Sequence, residues 1–326
     1  MTTDITVLDH LLVVNLDIHI WTARKKLVPL DLGGAELPPE DLASLGSKRV
    51  CNPEDLRSFT TLKARAVSVL ERSGIRFLSG WAVPNARIDD IMRELVVIRN
   101  EFNAAKESFL QRYEQSVQDW IARHPQWGNI IAGSTVSEED VRSRLDFRWQ
   151  VFQVAQPEAI DHNMDNLKED IDRLGGTLFD EIAKAAGEAW HRCYAGKTEI
   201  TRKALSPLKA MYDKLMGLTF VEPRVAPVAE LLDTAFRSIP KRGAITGSTL
   251  IMLQGLVLLL QNPQALMEHG QMILDGRKNS HKILESLLLA ERAVQVEAER
   301  RKEDLREEAL FDGAPLLPLI ESHGLW

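Results

Sequence analysis

Residues 86–123 hold neither glycine nor proline, thirty-eight positions in a row. Within them Ile88, Ile91, Leu95, Ile98, Phe102, Ala105 and Phe109 step alternately three and four apart, and the stripe drifts on to Tyr113, Val117 and Trp120. That is the period of a helix with one apolar face, drifting as a 3.6-residue helix drifts from a heptad. At about 1.5 Å per residue it predicts a rod of roughly 57 Å. A second stripe, Ile160, Met164, Leu167, Ile171, Leu174, Leu178 and Ile182, continues less regularly through Ala185, Ala189, Ile200, Ala204, Leu208, Met211 and Leu215. Between the stripes, Ser137 with Asp140 three later reads as a capping box opening a helix to about Gln156, and Pro157 suits the first turn of the next. Neither stripe can stay wet, so each needs a partner. The expected fold is mainly α: a long antiparallel, coiled-coil-like helical hairpin over 86–222.

His124-Pro125-Gln126-Trp127-Gly128 stops the first rod, which places the hairpin tip near 124–136. A solvated turn is usually polar, yet this one carries Trp127, Ile130 and Ile131. These three are the candidate partner-binding residues, since clustered exposed aromatic and aliphatic side chains mark contact surfaces. The alternative is that they fold back onto the hairpin as core.

The N-terminus has a different period. Leu12, Val14, Leu16, Ile18 and Ile20 alternate with Asn15, Asp17 and His19, which predicts a strand with one buried face. Trp21 to Leu30 is a candidate second strand and Ile75 to Val83 a third. The Gly33-Gly34 and Leu37-Pro38-Pro39-Glu40 stretch reads as loop, and Asn52-Pro53 as the cap and first turn of a helix to about Glu71. Residues 1–85 are expected to form a small α+β head, with strands confined there. A C-terminal helical part follows over 223–311, its last helix apolar first and nearly all charge over 297–308, then an apolar tail over 312–326. Leu250 to Leu260 is the most apolar run, about half the ~20 residues a spanning helix needs. A buried core helix explains it; a membrane-acting, pore-forming-like protein is the runner-up reading.

Little here points to chemistry, and no enzyme activity, cofactor or metal is expected. Ala195-Gly196-Lys197-Thr198 lacks the earlier glycine of a phosphate loop, position 191 being His. His191 and Cys193 are two apart and diverge on a helix; His10 and His19 have no clustered carboxylate or cysteine nearby and read as ordinary half-buried or surface histidines. Asp161, Asp165, Glu169 and Asp172 form an acidic helix face, read as solvated. The formal net charge of −7 opposes nucleic acid. Basic residues gather at Arg24-Lys25-Lys26 and at Lys197, Arg202, Lys203 and Lys209, without interleaved aromatics for base stacking. Two isolated cysteines, Cys51 and Cys193, suit a reducing compartment, and the first residues lack a signal peptide's basic and apolar regions, so a cytoplasmic location is expected.

Three segments, Trp21 to Leu27, Leu37 to Lys48 and Gly74 to Pro84, resemble an uncharacterised bacterial family, one of the domains of unknown function carried on integrative elements and phages. Its genes are often neighbours of a MoxR-type AAA+ ATPase and a von Willebrand factor A-type protein. The resemblance therefore implies an interaction or assembly role with such partners, or with copies of itself, and supplies no catalytic residues.

Overall fold

A computed structural model of the chain describes residues 5–32, 46–155 and 164–289. The loop expected at 33–40, the helix start at Pro157 and Ile160, the charge run 297–308 and the tail 312–326 lie outside them. The chain forms two compact units, residues 1–178 with 217–222 and residues 179–216 with 223–326.

In the first unit, β1 (Leu11–His19) is the strand that the alternation predicts. Val14 and Ile18 are buried in the main core. Leu11 and Val13, of the opposite parity, are buried too, so the first half of the strand is covered on both faces. The basic tripeptide β2 (Arg24–Lys26) pairs with β3 (Ser47–Arg49) in a separate ribbon. The Asn52 side chain accepts from the Glu54 amide and starts a 3₁₀ turn, Pro53–Leu56, that runs into α1 (Arg57–Ser73). The third expected strand is a hairpin, β4 (Ile75–Phe77) and β5 (Gly80–Pro84). Leu78 and Ser79 turn it with φ of 45° and 64°. Gly80 is needed because a Cβ there would sit 2.7 Å from the Val14 carbonyl oxygen.

The long stripe forms α2 (Ile88–Gln111), breaks at Arg112 and resumes as α3 (Tyr113–Arg123). A short α4 (Gly128–Ala132) follows, then α5 (Glu138–Ser143) and β6 (Asp146–Phe152). The sheet is antiparallel in the order β4-β5-β1-β6. Phe102 of α2 sits between α1 and β6, its ring 5.0 Å from Phe59 and 5.5 Å from Phe147. One continuous core joins β1, β5, α1, α2, α3, α5 and β6.

This corrects two expectations. The Ser137 cap is real, its Oγ accepting the Asp140 amide at 3.1 Å, but the helix ends at Ser143. Phe147, Trp149 and Val151 alternate with Arg148 and Gln150, a period that favours a strand, and β1 has a free edge to receive it. Strands are therefore not confined to residues before 85. The long antiparallel hairpin over 86–222 is also absent from the described residues, because α2 spends its stripe on α1 and β6. The second stripe forms α6 (Met164–Asp172) and α7 (Leu174–Ala189), with Ile171, Leu174 and Leu178 buried.

The second unit takes up α7 at Phe179. α7 ends in a π turn, Trp190–Tyr194. β7 (Glu199–Ile200), α8 (Ser206–Gly217), α9 (Val225–Arg237), β8 (Ile245–Thr246), α10 (Gly247–Leu260) and α11 (Pro263–Leu274) follow, and β7 pairs with β8. Lys214 of α8, almost fully buried, reaches Glu181 of α7 at 2.6 Å. α12 (280–289) crosses α10 at Gly255, where an added Cβ would stand 3.2 Å from Leu287 Cβ. α10 is buried along nearly its whole circumference, so packing absorbs the apolar run at Leu250 to Leu260. Among the described residues no single helix is long and apolar enough to cross a membrane; α10 and α11 meet that test only as a pair bent by 106°.

Candidate functional site

Residues two apart on a strand share a face, so Asp17 and His19 project together from β1. The β1–β6 register then sets Arg148 opposite Asp17 and Asp146 opposite His19. The result is a chain of polar contacts. His19 Nε2 lies 2.7 Å from Asp17 Oδ1, Arg148 Nη2 donates to Asp17 Oδ2 at 3.1 Å, and Arg148 Nε lies 2.7 Å from Asp146 Oδ2. His19, Asp146 and Arg148 edge a cleft of about 470 Å³, completed by Ile20, Trp21, Thr22, Ser143 and Arg144, with Asp17 behind His19 and Arg148. His19, expected to stand without a carboxylate cluster, has Asp17 as its partner, and their shared parity on the strand is the signal in the sequence. His10 instead packs its ring on Phe220 at 5.4 Å.

Chemically this cleft is an open, solvated polar network with Arg148 paired to two carboxylates. All four side chains are well exposed, and such pairs gain little net energy in water. Asp17 and Asp146 are committed to Arg148 and His19, so neither is left as an isolated base. Ser143 Oγ donates to the Asp140 carbonyl at 2.9 Å, the bond of a helix end rather than of a nucleophile beside a base. The arrangement suits recognition of a polar group more than proton transfer in a sequestered pocket.

Two further candidates, Cys51 and the turn at Ala195-Gly196, are structural. Burial, with the Asp55 carboxylate adding to it, pushes the Cys51 thiol up to about 12, so it stays protonated and a poor nucleophile at neutral pH. The Ala195-Gly196 turn closes the π turn, with Gly196 at φ 67°. Gln254 donates there to the carbonyls of Tyr194 and Lys197, both at 3.1 Å. A phosphate loop needs a strand before it and amides turned toward the ligand; here a helical turn precedes and carbonyls face the buried amide. Among the described residues no group of three or more His, Cys, Asp or Glu is placed to hold a metal ion.

The corner at 124–136 is ordered. Pro125–Trp127 makes a 3₁₀ turn into α4, and Tyr113 of α3 donates its hydroxyl to the Val136 carbonyl at 2.9 Å. The three candidate contact residues separate. Ile131 is buried at 5% exposure and Ile130 is half-buried, whereas Trp127 is 54% exposed. Ile131 is therefore a core side chain, drawn in as α4 folds back toward α3, and Trp127 is the one that presents surface.

The chain belongs to a family described as protein of unknown function (DUF3150), whose model matches residues 8–262. No curated protein and no solved structure matches it.

Proposed function

Starting from that membership, we propose that the chain is a non-catalytic interaction protein that assembles with other protein chains of a bacterial mobile element, in the cytoplasm. The observation that carries this reading is Trp127, an indole more than half exposed on an ordered corner whose neighbour Ile131 is anchored in the core. Tryptophan is among the residues most enriched at binding hot spots, and a pre-ordered turn loses little entropy on docking. The proposed partners, a MoxR-type AAA+ ATPase and a von Willebrand factor A-type protein, rest on the resemblance carried by residues 21–27, 37–48 and 74–84. The polar cleft agrees with a non-catalytic role, since both of its carboxylates, Asp17 and Asp146, are paired with Arg148. The membrane-acting alternative would require α10 to leave a core that buries it on nearly every side, and is the weaker reading.

The test is Trp127→Ala combined with Ile130→Ser, assayed for capture of a MoxR-type AAA+ ATPase and a von Willebrand factor A-type protein from the same host. Capture is expected to fall by about tenfold or more, the usual size of a hot-spot loss, with Tm within a few degrees of wild type. A clear drop in Tm with capture unchanged would return the corner to the core and end the proposal.

A further inference from the structure

Five of the six residues paired in the β2–β3 ribbon are Arg or Lys. The register makes the crowding worse, setting Arg24 directly across from Arg49 and Lys25 across from Lys48. Like charges facing each other across a ladder destabilise it. Lys48 is relieved by Asp31, and Lys26 has a partner of its own. Arg24, Lys25 and Arg49 have no carboxylate partner among the described residues, and all three are exposed. Paired residues project to one side and so do residues two apart, so Arg24, Arg49 and Lys26 share a face.

Aromatic rings stand beside this ribbon. Trp120, from α3, donates its indole N–H to the Arg49 carbonyl at 3.2 Å, and its ring lies 4.2 Å from that of His124. The aromatics missing from the local sequence thus arrive from 71 positions away. The net charge of −7 does not decide the matter, because at 0.1 M salt charges beyond about 10 Å are largely screened. What a ligand meets is the local field of the ribbon.

We propose that the β2–β3 ribbon, through Arg24 and Arg49 with the Trp120–His124 ring pair alongside, binds the phosphate backbone of a single-stranded nucleic acid. Two guanidinium forks on one face suit phosphate oxygens, and rings next to a cationic track accept an unpaired base in any sequence. An acidic peptide would use the cations but not the rings. The proposal is independent of the Trp127 reading and goes beyond it.

The experiment is fluorescence anisotropy of the full chain with a labelled 20-nucleotide oligo-dT and with polyglutamate of equal length, at 50 and 200 mM salt. Two or three neutralised phosphates give a salt slope that weakens oligo-dT binding about 7- to 18-fold over that range. Arg24→Glu with Arg49→Glu should weaken binding at 50 mM more than about tenfold and flatten the log–log slope by about 1.4. Lys203→Glu with Lys209→Glu, in the other basic cluster, should leave both unchanged. If the double glutamate variant melts early, Arg24→Gln with Arg49→Gln must show the same flattening. Salt-independent wild-type binding, an unchanged slope in the Arg variants, or loss in the Lys203/Lys209 variant instead would each overturn the proposal. Polyglutamate binding as tightly as oligo-dT would reassign the ribbon to an acidic protein. Trp127→Ala should not move oligo-dT binding, so the two readings fail separately.

Discussion

α2 turns a single stripe inward and leaves its other side in water, whereas α10 has almost no wet side. In α2 the buried residues are Ile91, Leu95, Ile98, Phe102, Phe109 and Leu110. The solvent side is laced to its neighbours by Arg65–Glu101, Arg72–Glu94 and Arg142–Glu107. α10 has no charged residue, and its exposed large side chain is Leu258. The difference teaches that period reveals a helix only where it has two sides. α2 announced its face by spacing; α10 announced only its burial, by composition, and its orientation had to come from what packs on it.

The largest effect should come from charging each helix at a position of zero exposure. Leu256→Asp in α10 and Leu95→Asp in α2 each bury an unpaired carboxylate, and each should cost about 4 kcal/mol or more. Hydrogen exchange should show the loss centred on the second unit for Leu256→Asp and on the first for Leu95→Asp. A wild-type melt for either would mean that its helix is not packed as described. A middling effect should follow Gly255→Val, which forces a side chain into the α10–α12 crossing. Denaturant titration should read about 1–3 kcal/mol, the usual penalty of overpacking. The smallest belongs to the wet side of α2. Glu94→Gln breaks a half-exposed pair with Arg72 and should change stability by about 0–1 kcal/mol. A larger loss there would erase the contrast between the two helices.

Much of the fold was legible for the same reason that α2 was. The alternation of Leu12 to Ile20 gave β1 within a residue, and Asn52-Pro53 marked the start of the turn that leads into α1. What escaped was decided by partners distant in sequence. The Ser137 capping signal was correct locally but could not say how far the helix ran; β6 formed because β1 offered an edge, and Phe147 and Trp149 filled the space over α2. The Leu78-Ser79 turn lacks the Asn-Gly or Asp-Gly signature of its type, so a hairpin was read as one strand. The polar cleft had half its signal in plain view, Asp17 and His19 on one strand face. The other half, Arg148, lies 131 positions away and depends on the ladder that was missed. Among the three corner residues composition could not separate Trp127 from Ile131, because both are apolar and only the fold of α4 decides which one meets water.

The crossing at Gly255 also bears on where this protein can be cut. The family match stops at residue 262, two residues past the end of α10, yet α12 lies on α10 through Leu287 and buries Ile283 and Leu284. The limit of shared sequence is thus not a limit of folding. A fragment trimmed at 262 would carry every matched residue and still expose an uncharged helix that normally has no wet side, a surface prone to self-association. Expression of this unit should carry the chain through at least residue 289, beyond the point where the family match ends.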